Sequence, residues 1–204
     1  PSLAVTQSAV VPTPGRLTVS HIAQPLITEY SQTVTGAEIV ALAATERPIY
    51  SGGFGRHPLY VFTDQGIFVM PQSRSGAFGE AKLMSRKAIN AHTRPISGGV
   101  KIWFTSTHQQ LCSIEGSKIR VVIPRWKTAA MAWNDAEHEL WTLHPDGSLH
   151  ITDGDAFFSR LTLNVDSMYY DGKSALAVMP DGSVLNICAS VPTEQTVKYL
   201  SHPI

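Results

Sequence analysis

The chain has 204 residues, 43% apolar and 16% charged, with sixteen basic side chains balancing sixteen acidic ones. That length supports one domain with a full core or two small ones, and the apolar share excludes a disordered, self-solvating chain. A zero net charge argues against a dedicated nucleic-acid binder, and no apolar run approaches the ~18 residues of a membrane-spanning helix, so neither DNA nor a membrane is an expected partner.

The first residues, PSLAVTQSAVVPTPGR, carry no initiator Met and no basic start with a long apolar stretch. We expect residues 1–15 to be an arm or linker in a piece processed from a longer chain. A region rich in Thr, Ser and Pro follows, up to residue 46. It predicts one edge strand, RLTVSHI, and then a loop. AEIVALAAT (37–45) has helix-forming residues yet also suits a buried strand, and is read as a strand or a short turn of helix.

From there the chain repeats itself. PLYVFTDQGIFVM (58–70), KIWFTSTHQQLCSI (101–114), ELWTLHPDGSLHI (139–151) and ALAVMPDGSVLNI (175–187) are each a strand, a polar turn and a second strand. Aligned on Leu59, Ile102, Leu140 and Leu176, they are separated by 43, 38 and 36 residues. A short apolar piece with a turn precedes each one (PIYSGGFGRH, RPISGGV, AMAWNDAEH, MYYDGKS), and a further strand candidate follows (EAKLM, KIRVVIP, SRLTLNV, TVKYL). The units near 47–85, 94–124, 129–165 and 167–200 therefore predict an all-β domain over 16–204. It would be a β-propeller-like array of about four four-stranded antiparallel blades, closed on itself or part of a larger ring.

The turns support the strands. Asp146-Gly147 and Asp181-Gly182 suit a two-residue type I′ hairpin, and Asp64-Gln65-Gly66 is a three-residue relative. STHQQ lacks a glycine and predicts a longer loop. In a two-residue hairpin His144 would face Leu149 and Leu143 would face His150. The two imidazoles would then lie on opposite sides of the sheet, which argues against a metal there.

Candidate chemistry is thin. None of the eight histidines falls in a zinc-protease pattern. Cys112 and Cys188 sit in apolar strands and read as buried free thiols. Asp153 and Asp155 lack the remaining ligands of a calcium loop, and SGGFGRH (51–57) lacks the Lys-Ser/Thr ending and following helix of a phosphate loop. Asp135 and Glu137 read as a solvated turn. Tyr60, Trp103 and Trp141 occupy matched positions, which signals packing before a sugar platform. No catalytic, cofactor-binding or metal-ligating residue is expected, only the structural turn residues Gly66, Asp146, Gly147, Asp181 and Gly182.

YSGGFGRHPLYVFTDQGIFVM, with the following SRKAINAHTRPISGGVKIWFTSTHQQLCSIEGSKIRVVIP, resembles the β-propeller proteins of bacteriophage and prophage tails, including the family that stabilises packaged DNA at the tail end of the virion. The resemblance rests on Phe54 to Ile67, Ser85-Arg86, Val100 to Phe104 and the earlier RLTVSHIAQP, covering about residues 16–125. It implies a non-enzymatic structural component of the virion tail, assembled in the host cytoplasm. Other virion proteins would be its partners, with at most weak self-association, and no catalytic residues come with it. Two alternatives stand beside it: an intracellular propeller interaction module, and a propeller that binds or cleaves glycans using loop residues such as Arg56, Arg94, Arg125 and Asp135.

Overall fold

The computed structural model describes residues 15–21, 24–34, 36–50, 53–153, 157–161, 163–170 and 175–186, and these hold strands and no helix. Outside them fall residues 1–14 of the expected arm 1–15, Asp155, the last strand candidate TVKYL and Cys188.

Strands β1 (Arg16–His21) and β2 (Gln24–Thr33) pair as an antiparallel ribbon. The first four-stranded sheet runs in chain order through β3 (Ile39–Ala44), β4 (Leu59–Thr63), β5 (Ile67–Met70) and β6 (Lys82–Ser85). The second is β7 (Ile96–Gly98), β8 (Lys101–Thr105), β9 (Leu111–Glu115) and β10 (Lys118–Ile123). The third is β11 (Ala130–Asn134), β12 (Glu139–Leu143), β13 (Leu149–Thr152) and β14 (Phe157–Leu161). The fourth comprises β15 (Ser167–Tyr170), β16 (Ala175–Val178) and β17 (Val184–Asn186) among the described residues. All the pairings are antiparallel. First strands approach one another in succession, β3 to β7, β7 to β11 and β11 to β15. The sheets are thus arranged radially around their first strands, as propeller blades are.

Why the second strands read as continuous apolar runs is clear from the packing. Each of the first three sheets is covered on both faces, so both sides of its middle strands must be apolar. Alternate residues enter different clusters. Tyr60 and Phe62 pack with Ile102, Phe104, Cys112 and Ile114 between the first two sheets. Trp103 and Leu111 pack with Met131, Trp133 and Leu140 between the second and third. Trp141, Leu143 and Leu149 pack with Met168, Ala175 and Ala177 between the third and fourth. Leu17 of the ribbon packs with Val61 and Met70 on the outer face of the first sheet. Each fully buried large side chain contributes about 1.5–3 kcal/mol.

The matched aromatics Tyr60, Trp103 and Trp141 are all buried. Tyr60 also donates from its hydroxyl to the carbonyl of Gly116 at 2.8 Å, tying the first sheet to the β9–β10 turn. Burial pushes its phenol up to about 12. A raised phenol contributes stability that is fully present below the ordinary tyrosine value and lost as pH rises towards 12. Tyr60→Phe should cost about 1 kcal/mol at neutral pH, since one buried hydrogen bond goes and a carbonyl is left unmatched. The difference from the native chain should shrink between about pH 10 and pH 12. Urea melts across that range check it; a constant difference would remove Tyr60 from the alkaline response.

Four expectations about strands and turns change. The stretch after β1 is a ten-residue strand, β2, not a loop, because Thr and Ser suit a two-stranded ribbon as well as a loop. The first strand of the first sheet is Ile39–Ala44, and Pro48–His57 lies in the long connection to β4. The Asp-Gly turns are also of another kind. His144 N–H donates to the Ser148 carbonyl at 2.9 Å and Gly147 N–H to the His144 carbonyl at 3.0 Å, with Gly147 at φ +78°. Met179, Ser183 and Gly182 (φ +81°) repeat the same bonds. This is a type I turn closed by a left-handed residue, and the prolines at 145 and 180 supply its first central position. The recurring Ser also has a reason. Asp146 Oδ1 accepts from the Ser148 N–H and hydroxyl, and Asp181 Oδ1 accepts the same pair from Ser183. The Ser183 hydroxyl, then its N–H, holds the Asp181 carboxyl below its usual range. Matching His144 to Met179 places Leu176, not Ala177, in the position of Trp141.

STHQQ makes this same turn rather than a longer loop. Ser106 N–H donates to the Gln110 carbonyl and Gln109 N–H to the Ser106 carbonyl, both at 2.9 Å, and exposed Gln109 takes the left-handed place at φ +55°. A side chain there is strained by ~1–2 kcal/mol, whereas glycine adds only ~0.5–1 kcal/mol of chain entropy. Gln109→Gly should therefore stabilise the fold by about 0.5–1 kcal/mol. A lower denaturation midpoint for the variant would refute the assignment.

Candidate functional site

Antiparallel pairing sends the connections of each sheet alternately to two rims. On one rim Arg47, the β7–β8 turn at Gly98–Lys101, Asp135 and His138 of the β11–β12 turn, and Asp153 line a common cleft of about 330 Å³. The other rim holds the β12–β13 turn and the linker 164–166, around a cleft of about 330 Å³. All five sequence-singled turn residues sit in β4–β5, β12–β13 or β16–β17 turns, on that second rim, where Asp146 and Asp181 serve the hairpins.

The first rim is stitched together across sheets. Arg47 N–H donates to the Gly99 carbonyl at 3.0 Å, and Gly99 N–H to Glu46 Oε2 at 3.3 Å. Arg47 Nη2 reaches both carboxylate oxygens of Asp135, at 3.2 and 3.1 Å, linking the first sheet to the third. Asp135 also accepts from Trp133 Nε1 at 3.4 Å. So Asp135 is a paired strut rather than the solvated turn residue expected from sequence. The pair is half-exposed and worth up to ~1 kcal/mol.

A larger cleft, of about 790 Å³, lies beside the first sheet on this rim. Its walls follow from strand register. Leu59 pairs with Met70, so the residues just before β4 face those just after β5. Gln72 N–H donates to the Phe54 carbonyl at 2.8 Å, and Gln72 Oε1 accepts from His57 N–H at 3.1 Å. Gly55, at φ +88°, lies so close to this strand end that a Cβ would sit 2.0 Å from the Gln72 carbonyl oxygen. The His57 ring donates from Nδ1 to the Thr45 carbonyl at 3.1 Å. On this welded frame Arg56, His57 and Arg74 line the cleft, with Tyr50 at its edge and no carboxylate among the lining residues. Sequence reading had marked Arg56 only as an available loop residue and had passed over Arg74 and Gln72. The glycine-bearing stretch QSRSG between β5 and β6 was the available signal.

The histidine pair is corrected. The observed register puts Leu143 opposite Leu149 and Thr142 opposite His150, one residue away from a two-residue hairpin. His144 and His150 therefore share a face and stack at 3.8 Å, with the Trp126 ring edge-on to both at 4.6 and 5.0 Å. Ser148 Oγ lies 3.0 Å from His150 Nε2. No group of three metal-ligating side chains occurs among the described residues. Cys112 is a buried free thiol that burial pushes above its ordinary value, the opposite of an activated nucleophile.

Antiparallel sheets of up to four strands, arranged radially and packed face to face, define a β-propeller-like fold. Solved structures agree on the fold. BBS1N, crystallised in complex with ARL6DN and soaked with mercury, superposes with a TM-score of 0.59 at 12% identity, over 91% of this chain and 60% of that one. BamB from Moraxella catarrhalis gives 0.53 at 13% identity, over 84% and 51%. Both are β-propellers, and the chain spans between half and two thirds of their length. No family model and no curated protein matches the sequence. The propeller part of the tail-protein resemblance is thus met by these structures, and no family model or curated protein supports the tail family itself.

Proposed function

We propose that the chain is a non-enzymatic docking scaffold, a rigid propeller-like body that binds partner proteins through its rim loops. The division of labour between strands and loops carries this reading. The aromatics that could have formed a ligand platform are buried between sheets, while the polar and cationic groups gather in rim clefts built on backbone-bonded loops. Such a body changes its surface by loop substitution without disturbing its core. The solved neighbour BBS1N, crystallised in complex with ARL6DN, supports the reading.

The finer proposal is a place in the tail of a phage or prophage virion, supported by the resemblance of Phe54 to Ile67, Ser85-Arg86 and Val100 to Phe104. Mass spectrometry of gradient-purified particles, with cross-linking, tests both levels. The expected result is the chain in the particle fraction, with cross-links from the rim loops to another tail protein. Cross-links to a cellular protein would replace the virion with an intracellular module and keep the scaffold. Turnover of a polysaccharide panel by the purified chain would overturn the scaffold itself.

A further inference from the structure

The chain is neutral overall, yet the 790 Å³ cleft gathers two arginines and a histidine with no carboxylate in its lining. Among the described residues neither guanidinium, Arg56 nor Arg74, makes a hydrogen bond or ion pair, whereas Arg47 on the same rim is neutralised by Asp135. Glu46, on the connection that leads into the cleft, is turned away to the Gly99 N–H of the next sheet. Two unneutralised guanidinia lining one cleft attract oxyanions, whose planar carboxylate form matches the guanidinium donor fork.

The wall is also built before any ligand arrives. Gly55 lies against the Gln72 backbone, Gln72 is held through its N–H and its side chain, and Gly76 N–H closes a tight turn on the Ser73 carbonyl at 3.0 Å. His57 Nδ1 is engaged with Thr45, which leaves Nε2 as the ring's other polar atom. The space is within the ~300–1,000 Å³ of ligand pockets and far more than one oxyanion fills. Tyr50, 82% exposed, stands at the edge as an aromatic of the kind that anchors protein interfaces.

We propose that this cleft binds an acidic peptide segment of a partner protein, with Arg56 and Arg74 each taking a carboxylate and Tyr50 covering the peptide's apolar part. This rests on the docking reading and names the chemistry of the partner.

The test uses the full chain and a fluorescent ten-residue glutamate-rich peptide, with anisotropy read at two salt concentrations. Binding should weaken about tenfold or more from low to physiological salt, as exposed charge pairs do. The double variant Arg56→Gln/Arg74→Gln should lose at least tenfold. Arg86→Gln, beside the opposite-rim turn at Gly66, should bind as the native chain does. Both cleft arginines are exposed, so an unchanged urea midpoint will show that the double variant folds. Absence of binding at millimolar peptide, or equal binding by the double variant, overturns the proposal. So does inorganic phosphate that binds as tightly as the peptide, because the cleft would then be a small-oxyanion site. Rim cross-links to a tail or cellular protein that survive in the double variant would sink this proposal and leave the docking scaffold standing. Their absence in the native chain would sink the scaffold.

Discussion

Trp103→Ala will cost about 3–5 kcal/mol, the range for emptying a large aromatic site in a packed core. The ring is fully buried between the second and third sheets and stacks on Trp133 with centroids 6.1 Å apart. Leu111, Met131 and Leu140 close around it from both sheets, so neither sheet alone can collapse into the space. Lys101 Nζ lies 5.5 Å over the ring, and that contact goes too. Trp103→Phe should cost clearly less. Part of the packing survives, and the indole N–H, which finds no acceptor among the described residues, no longer has to be buried. Urea melts of the three proteins decide this; equal losses for Ala and Phe would mean that volume at this joint is not what holds the sheets together.

Gly55→Ala should cost about 2–4 kcal/mol, combining ~1–2 kcal/mol of left-handed strain with ~1–3 kcal/mol of overpacking. The left-handed φ of +88° is shared in kind with Gly53 at +72°, two residues earlier. The surroundings differ. A Cβ on Gly53 meets nothing within 4 Å, whereas one on Gly55 overlaps the Gln72 carbonyl, which is backbone and cannot swing away. Gly53→Ala should therefore cost only ~1–2 kcal/mol, the strain alone. Gly55→Ala should also weaken acidic-peptide binding, since it pushes apart the two loops that carry Arg56 and Arg74. Equal melting losses for the two variants would show that the loops are not in contact.

The middle strands were legible because burial on two faces leaves an unmistakable trace: LYVFT, KIWFT and ELWTL are apolar almost throughout, and each ends in a polar turn. AEIVALAAT does form a strand, β3, but its place at the head of the first sheet was hidden because its connection to β4 is long and Pro48, Ile49 and Tyr50 imitate a strand start. The turn type was misread because Asp-Gly was weighed without the proline before it. That error moved the register by one residue, and one residue is enough to send a side chain to the other face, as it did for His150. The cleft was not legible at all. Arg56 and Arg74 belong to different loops, and only the pairing of Leu59 with Met70 makes those loops neighbours. Nor does spacing in the chain show that Asp135 reaches back to Arg47, 88 residues away.

Each hydrophobic cluster belongs to two consecutive sheets and to neither alone, and this gives the array a direction. The position that looks towards the following sheet holds Tyr60, then Trp103, then Trp141, and its counterpart in the fourth sheet is Leu176. Lock and key therefore differ at every joint. A tyrosine asks for a carbonyl at Gly116, the next tryptophan for a second indole at Trp133, and the third for the apolar surface of Met168, Ala175 and Ala177. Sheets built on one plan are thus not exchangeable parts. Transposing two of them would set an indole where a phenol is keyed, so the order of the blades is written into their joints as well as into the chain that threads them.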